Sequence, residues 1–169
     1  GTNIGRTGCS ITGLPGYMAE NITLSNIFLT FTGGGTAKMA ELSIPELPEA
    51  YPEHDMFGTL PAYGFYCRHC RNIRFDNIEL GYENPEERPA IICDDVEELE
   101  LISLKAKTDL TAPVISFRSV RNSFIQSCIA LEGTGTFLQL TGPSSEHIAL
   151  MGNDLSRAKK PVSNDNNSS

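Results

Sequence analysis

Two adjacent carboxylates, Asp94 and Asp95, are the residues in this sequence best placed for general acid and base chemistry. Glycoside hydrolysis needs a proton donor and a base flanking one bond, held a few ångströms apart. Neighbours on a strand point to opposite faces, but at a corner both can face solvent. A polar corner paired with Arg68 and Arg118 explains the same two residues without catalysis, and no catalytic role is assigned to them. The CRHC segment Cys67–Cys70 looks like half of a redox or zinc motif. The chain has 5 cysteines and no second Cys-x-x-Cys to complete a metal site. Buried free thiols acting as small hydrophobes are therefore expected, although the cross-strand spacing would admit a Cys67–Cys93 bridge. His54 and Asp55 are suited to bind or activate a ligand, with a plain surface pair as the alternative. His147 lies at a repeat corner and reads as structural. Gly33–Gly35 is followed by no Lys-Ser or Lys-Thr, so it is not a phosphate loop. No metal or cofactor is expected.

The elements that must position these residues are strands. Asn72–Leu80 (NIRFDNIEL) echoes Asn21–Leu29 (NITLSNIFL), and weaker echoes start at Glu98, Asn122 and His147. These starts are 51, 26, 24 and 25 residues apart. A period in the twenties marks a solenoid. Within a unit, Ile73 and Phe75 alternate with polar residues. The phase then slips at Asp76–Asn77, and Ile78 and Leu80 take the inward role, as at a corner between two strands. Short upstream strands hold Phe65 and Cys67, Ile91 and Cys93, Ile115 and Phe117. This pattern predicts an all-β parallel β-helix of about five to six coils with one long inserted loop. Its expected inward residues are Ile22, Leu24, Ile27, Ile73, Phe75, Ile78, Leu99, Leu101, Leu104, Ile125, Ile148 and Leu150.

Composition narrows the function. The net charge of −8 argues against nucleic acid, whose phosphates want a basic stripe. No apolar run of about 18 residues exists to span a membrane as a helix. One domain is expected over residues 1–155. Residues 1–20 form a partial first rung that lacks a cap, which suggests the C-terminal part of a longer solenoid. Residues 32–62, rich in Gly and Pro, form the inserted loop, and such loops often build binding sites. Residues 156–169 read as a mobile polar tail. Aligned rungs place Arg68, Asp94 and Arg118 in one column and Arg71, Glu97, Arg121 and Glu146 in another. Rungs lie about 4.8 Å apart, so both columns read as alternating charge ladders, with scattered surface charge an equal reading of the first.

Ser10–Gly16 (SITGLPG), Glu20–Ile27 (ENITLSNI), Met56–Gly64 (MFGTLPAYG), Arg88–Val96 (RPAIICDDV) and the corner Gly152–Asp154 (GND) stand out as a set. Together they resemble the C-terminal half of polygalacturonase-like proteins, glycoside hydrolase family 28, of the variety common in Bacteroides-type bacteria. The resemblance covers roughly residues 8–155. It implies a right-handed pectin lyase-like β-helix, a periplasmic or secreted location, no cofactor, and hydrolysis of pectic polysaccharides with inversion by three aspartates. The family's Asn-Thr-Asp, Asp-Asp, Gly-His-Gly and Arg-Ile-Lys motifs are absent from this sequence. In the family they precede the part resembled here, so Asp94 and Asp95 inherit no role.

Two readings follow from the resemblance. The chain is the scaffold and cleft wall of a pectin-directed hydrolase, or a non-catalytic solenoid that binds acidic glycan or associates with other chains. If an acidic glycan binds, the 40–63 loop should form one wall, with Tyr51, His54 and Tyr63 as contacts. Arg68 or Arg118 would then take a uronate carboxylate. The uncapped first rung predicts a homo-oligomer through residues 1–32.

Overall fold

The slips in hydrophobic phase are where the backbone turns left-handed. The computed structural model describes residues 7–49, 56–142 and 144–165. In it, Asn21, Asn72, Glu98, Asn122 and His147 stack at one corner with φ between 53° and 61°, except Asn72 at 52°. Asn26, Asn77, Ser103 and Ser127 make a second corner, and His69, Asp95 and Ser119 a third. Asn, Asp and His enter this region more readily than other side-chain-bearing residues, which is why the slips fall on polar positions. Stacking then lets side chains bond between coils: Asn72 Nδ2 donates to Asn21 Oδ1 at 2.7 Å and Asn77 Nδ2 to Asn26 Oδ1 at 2.8 Å.

Between the corners run the strands. The first coil is β1 (Cys9–Thr12) and β2 (Ala19–Gly33), followed by the helical turn α1 (Ala37–Ala40). Then come β3 (Phe65–Asn84), β4 (Ile91–Ala106), β5 (Pro113–Gln126) with β6 (Ile129–Ala130), β7 (Thr136–Thr141) with β8 (Glu146–Met151), and β9 (Lys160–Asn164). Every ladder between these strands is parallel. The protein is a parallel β-solenoid of about four turns. That is fewer than the five to six coils expected, because the first and last are incomplete. Among the described residues no helix is long and apolar enough to cross a membrane.

The expected core is present in the middle coils and open at the ends. Ile73, Phe75, Ile78, Leu99, Leu101, Leu104 and Ile125 are buried. Ile22, Leu24, Ile27 and Ile148 are only half-buried against them, and Leu150 is 37% exposed, contrary to expectation. An inward side chain in an end coil has a neighbour on one side only. The tail also departs from the sequence reading: Lys160–Asn164 pairs with β7 as β9 instead of remaining free. All five cysteines are free, with Cys67 and Cys93 paired in register. Burial and the neighbouring thiol push Cys70 up to about 12, so it stays protonated and inert.

The inserted loop is fastened by a buried ion pair that no periodicity could reveal. Glu86 and Arg88 have side chains 0% and 1% exposed. Arg88 Nε donates to Glu86 Oε1 and Nη2 to Oε2, both at 2.8 Å. The Gly35 N–H donates to Glu86 Oε2 at 3.0 Å, and Arg88 Nη1 to the Leu60 carbonyl at 3.0 Å. Both ends of the loop are thus tied to one pair. A Cβ on Gly35 would lie 2.1 Å from Arg88 Nε and Glu86 Oε1, so only glycine admits this approach. Burial pushes the Glu86 carboxyl up, but the bonds from Arg88 and Gly35 outweigh it and hold it below its ordinary value.

Candidate functional site

The loop meets the solenoid on the outward face of the strands that carry Arg68, Asp94 and Arg118. These three stand in register, as the column alignment requires. The charge ladder itself does not form, because both arginines turn towards the loop. Arg68 is 5% exposed. Its Nη1 donates to the Ile44 carbonyl and lies 3.3 Å from Glu46 Oε1, and its Nη2 donates to the Pro45 carbonyl at 3.1 Å. Phe57 and Tyr66 lie over the guanidinium, with ring centroids 5.9 and 5.8 Å away. Arg118 Nη2 reaches the Ala40 carbonyl at 3.4 Å. The second column does pair at one end: Arg71 bridges Glu97 at 3.1 Å and Glu20 at 3.3 Å.

Arg68 is therefore a loop anchor, and its guanidinium is not available to a ligand carboxylate in this arrangement. Tyr63 is also corrected. It is fully buried, its ring packs edge-on against Phe31 and Tyr82, and its hydroxyl donates to the Lys107 carbonyl at 2.7 Å. It serves the core and not a sugar-binding wall. The other two expected wall residues, Tyr51 and His54, lie outside the described residues.

The corner beside Arg68 holds a residue that sequence reasoning passed over. His69 has φ 52°. Its Nδ1 lies 2.7 Å from Asp95 Oδ2 and its Nε2 3.1 Å from Glu46 Oε1. The signal was available, since one step past the Arg68–Asp94 pair the alignment sets His69 beside Asp95. Burial pushes the imidazole down, but the bonds to Asp95 and Glu46 raise it by more, leaving it above its ordinary value. Asp94 is raised as well, chiefly by burial, with Arg118 and Arg68 pulling the other way. Asp95 is engaged by His69, so the two carboxylates do not face one another across an open site.

An open cleft of about 250 Å³ lies on the same face, next to the loop. Its floor is Ser116 and Arg118 of β5 with Gln139 and Thr141 of β7, paired in register. Ala37, Ala40 and Glu41 line its sides together with Glu87, Pro89 and Ala112. Glu87 Oε2 accepts from the Ala37 N–H at 2.8 Å and fixes the start of α1. The cleft therefore joins apolar sides to a polar floor with one guanidinium. A larger hollow of about 480 Å³ lies elsewhere, around Phe28, Gly81 and Lys107. There the ammonium is already committed to the Tyr82 carbonyl at 3.2 Å and the Tyr82 ring at 4.4 Å. Among the described residues no group of three or more His, Cys, Asp or Glu side chains is arranged to hold a metal ion.

Comparison with protein-family models, with curated proteins and with solved structures finds no match for this chain.

Proposed function

We propose that this chain is a wall of an acidic-polysaccharide site, of the kind found in polygalacturonase-like hydrolases, and that it binds glycan without cleaving it. The observation that carries the reading is the cleft floor. Adjacent parallel strands present Ser116 beside Gln139 and Arg118 beside Thr141, a strip of donors and acceptors at a spacing of about 4.8 Å. The cleft is smaller than the ~300 Å³ at which pockets begin to enclose a drug-sized ligand. It suits one unit of a chain that continues along the solenoid. The apolar side formed by Ala40, Pro89 and Ala112 offers a surface for a sugar's carbon face, and Arg118 offers a charged donor to a uronate carboxylate. Asp95 is held by His69, and Asp94 is not among the cleft-lining residues, which supports a binding role over an acid–base one. Titration calorimetry with oligogalacturonides tests this. The wild type should bind and Arg118→Ala should lose about tenfold in affinity, the ~1.4 kcal/mol expected of one charge-assisted contact. Equal affinity in both would remove the cleft from the account.

A second reading, association between copies, has its own support. Among the described residues β1 and β2 pair only with β3, and Ile22, Leu24, Ile27 and Leu29 of that coil are half-buried. Light scattering across a dilution series should give a dimer, and a strictly monomeric particle would refute it.

A further inference from the structure

We propose that residues 43–49 are a strap over the outward face of β3 and β4, clasped by His69 while its imidazole is charged and loosened when the ring loses its proton. The strap has two attachments of different kind. One is Arg68, which grips the Ile44 and Pro45 carbonyls through its guanidinium N–H groups. The other is His69, set between Asp95 on β4 and Glu46 on the strap. A neutral imidazole has one N–H and cannot donate to both carboxylates, whereas the imidazolium donates to both. On deprotonation the shorter bond, 2.7 Å to Asp95, keeps the proton, and a lone pair then faces Glu46 Oε1.

After the loss Glu46 is held, among the described residues, by its 3.3 Å contact to Arg68 Nη1 alone. Glu46 receives both Arg68 and His69 on Oε1, while Glu46 Oε2 and Arg68 Nε are buried without a hydrogen-bond partner among the described residues. The charged groups around the clasp are Glu46 on the strap, Arg68 on β3, Asp94 and Asp95 on β4 and, beyond Asp94, Arg118 on β5. The Cys70 thiol lies on the same corner, near Asp95, and is protonated throughout. The imidazole is raised in the folded state, so its contribution is complete below about pH 6.5 and fades as pH climbs through the raised value. A paired carboxylate with a lowered pKa fades in the opposite direction. Loosening would lift Ile44 from its cluster with Tyr66 and Ile92, leaving Leu60 and Phe57 in place. Ile92 pairs with Ser116 of the cleft floor, so release would extend the open face towards β4. None of this depends on which ligand the cleft takes.

Isoleucine-methyl NMR of the full chain from pH 5.5 to 8.5 tests the clasp. The Ile44 methyl should show strong cross-peaks to Tyr66 and Ile92 at low pH that weaken as pH rises. The released population should increase about tenfold for each unit separating the clasped and released imidazole. His69→Asn, which tolerates the left-handed corner, should show weak, pH-independent cross-peaks. Glu46→Gln, whose amide accepts from the imidazolium and donates to the neutral ring, should keep the cross-peaks strong at every pH with the corner untouched, so the test survives a His69 variant that fails to fold. His147→Asn, at a left-handed corner of β8 outside the clasp, should behave as wild type. Constant cross-peaks in the wild type, a surviving pH dependence in Glu46→Gln, or its loss in His147→Asn would overturn the proposal.

Discussion

Replacing Arg88 by Met should be among the most damaging single changes outside the apolar core. Glu86 and Arg88 are 0% and 1% exposed, and the guanidinium supplies two 2.8 Å bonds to the carboxylate. Met keeps much of the volume but leaves a buried carboxylate with no counter-charge. Breaking a buried pair on one side costs about 3–5 kcal/mol. For a domain of this size that is roughly 6–20 °C in Tm. The loss should also depend on pH with a definite sign. In the wild type the Glu86 carboxyl is held low, so its contribution is present above its unfolded value and fades as pH falls through the folded one. In Arg88→Met the uncompensated carboxylate is pushed up, so protonation relieves the variant first. The difference between the two proteins should therefore shrink on going from pH 7 towards pH 4. Urea unfolding followed by far-UV circular dichroism at both values measures it. A loss below about 1 kcal/mol, the size of an ordinary substitution, or a difference that grows on acidification would refute the reasoning.

Other outcomes follow from the same structure. Phe75 is fully buried in edge-on contact with Phe65, so Phe75→Ala should cost about 3–5 kcal/mol in the same unfolding measurement. Native protein treated with a thiol reagent at pH 8 should label Cys9, the half-buried one, well before Cys67, Cys70, Cys93 and Cys128. Incubation with polygalacturonate should release no reducing ends above a blank. Release abolished by Asp94→Asn or Asp95→Asn would show that the carboxylates are catalytic after all.

The solenoid was legible in the sequence because its determinants are local and repeated. Alternation places Ile73 and Phe75, a polar left-handed corner at Asn77 resets the phase, and the next coil repeats both. This was enough to align Arg71 with Glu97, Arg121 and Glu146 in the register observed. The candidate site was less legible because the loop that builds it obeys no period. Alignment alone sets Arg68 over Asp94, yet the side chain turns away to two carbonyls of a loop that Gly35, Glu86 and Arg88 fasten elsewhere, at Gly35 and Leu60. Tyr63 read as a surface aromatic at a loop end, and its burial becomes visible only once Phe31 and Tyr82 are placed around it. The end-coil misses, Leu150 and β9, have the opposite cause: burial there depends on what stacks next, which a residue's own pattern does not encode.

The central claim is that the cleft over β5 and β7 reads the charge of a polyuronate chain through Arg118. The most direct measurement is titration calorimetry of the wild-type chain with an oligogalacturonide and with the same oligomer fully methyl-esterified. The account predicts binding of the free acid that weakens about tenfold on esterification, with Arg118→Ala binding both forms equally. Binding indifferent to esterification in the wild type, or no binding of the free acid, would contradict it.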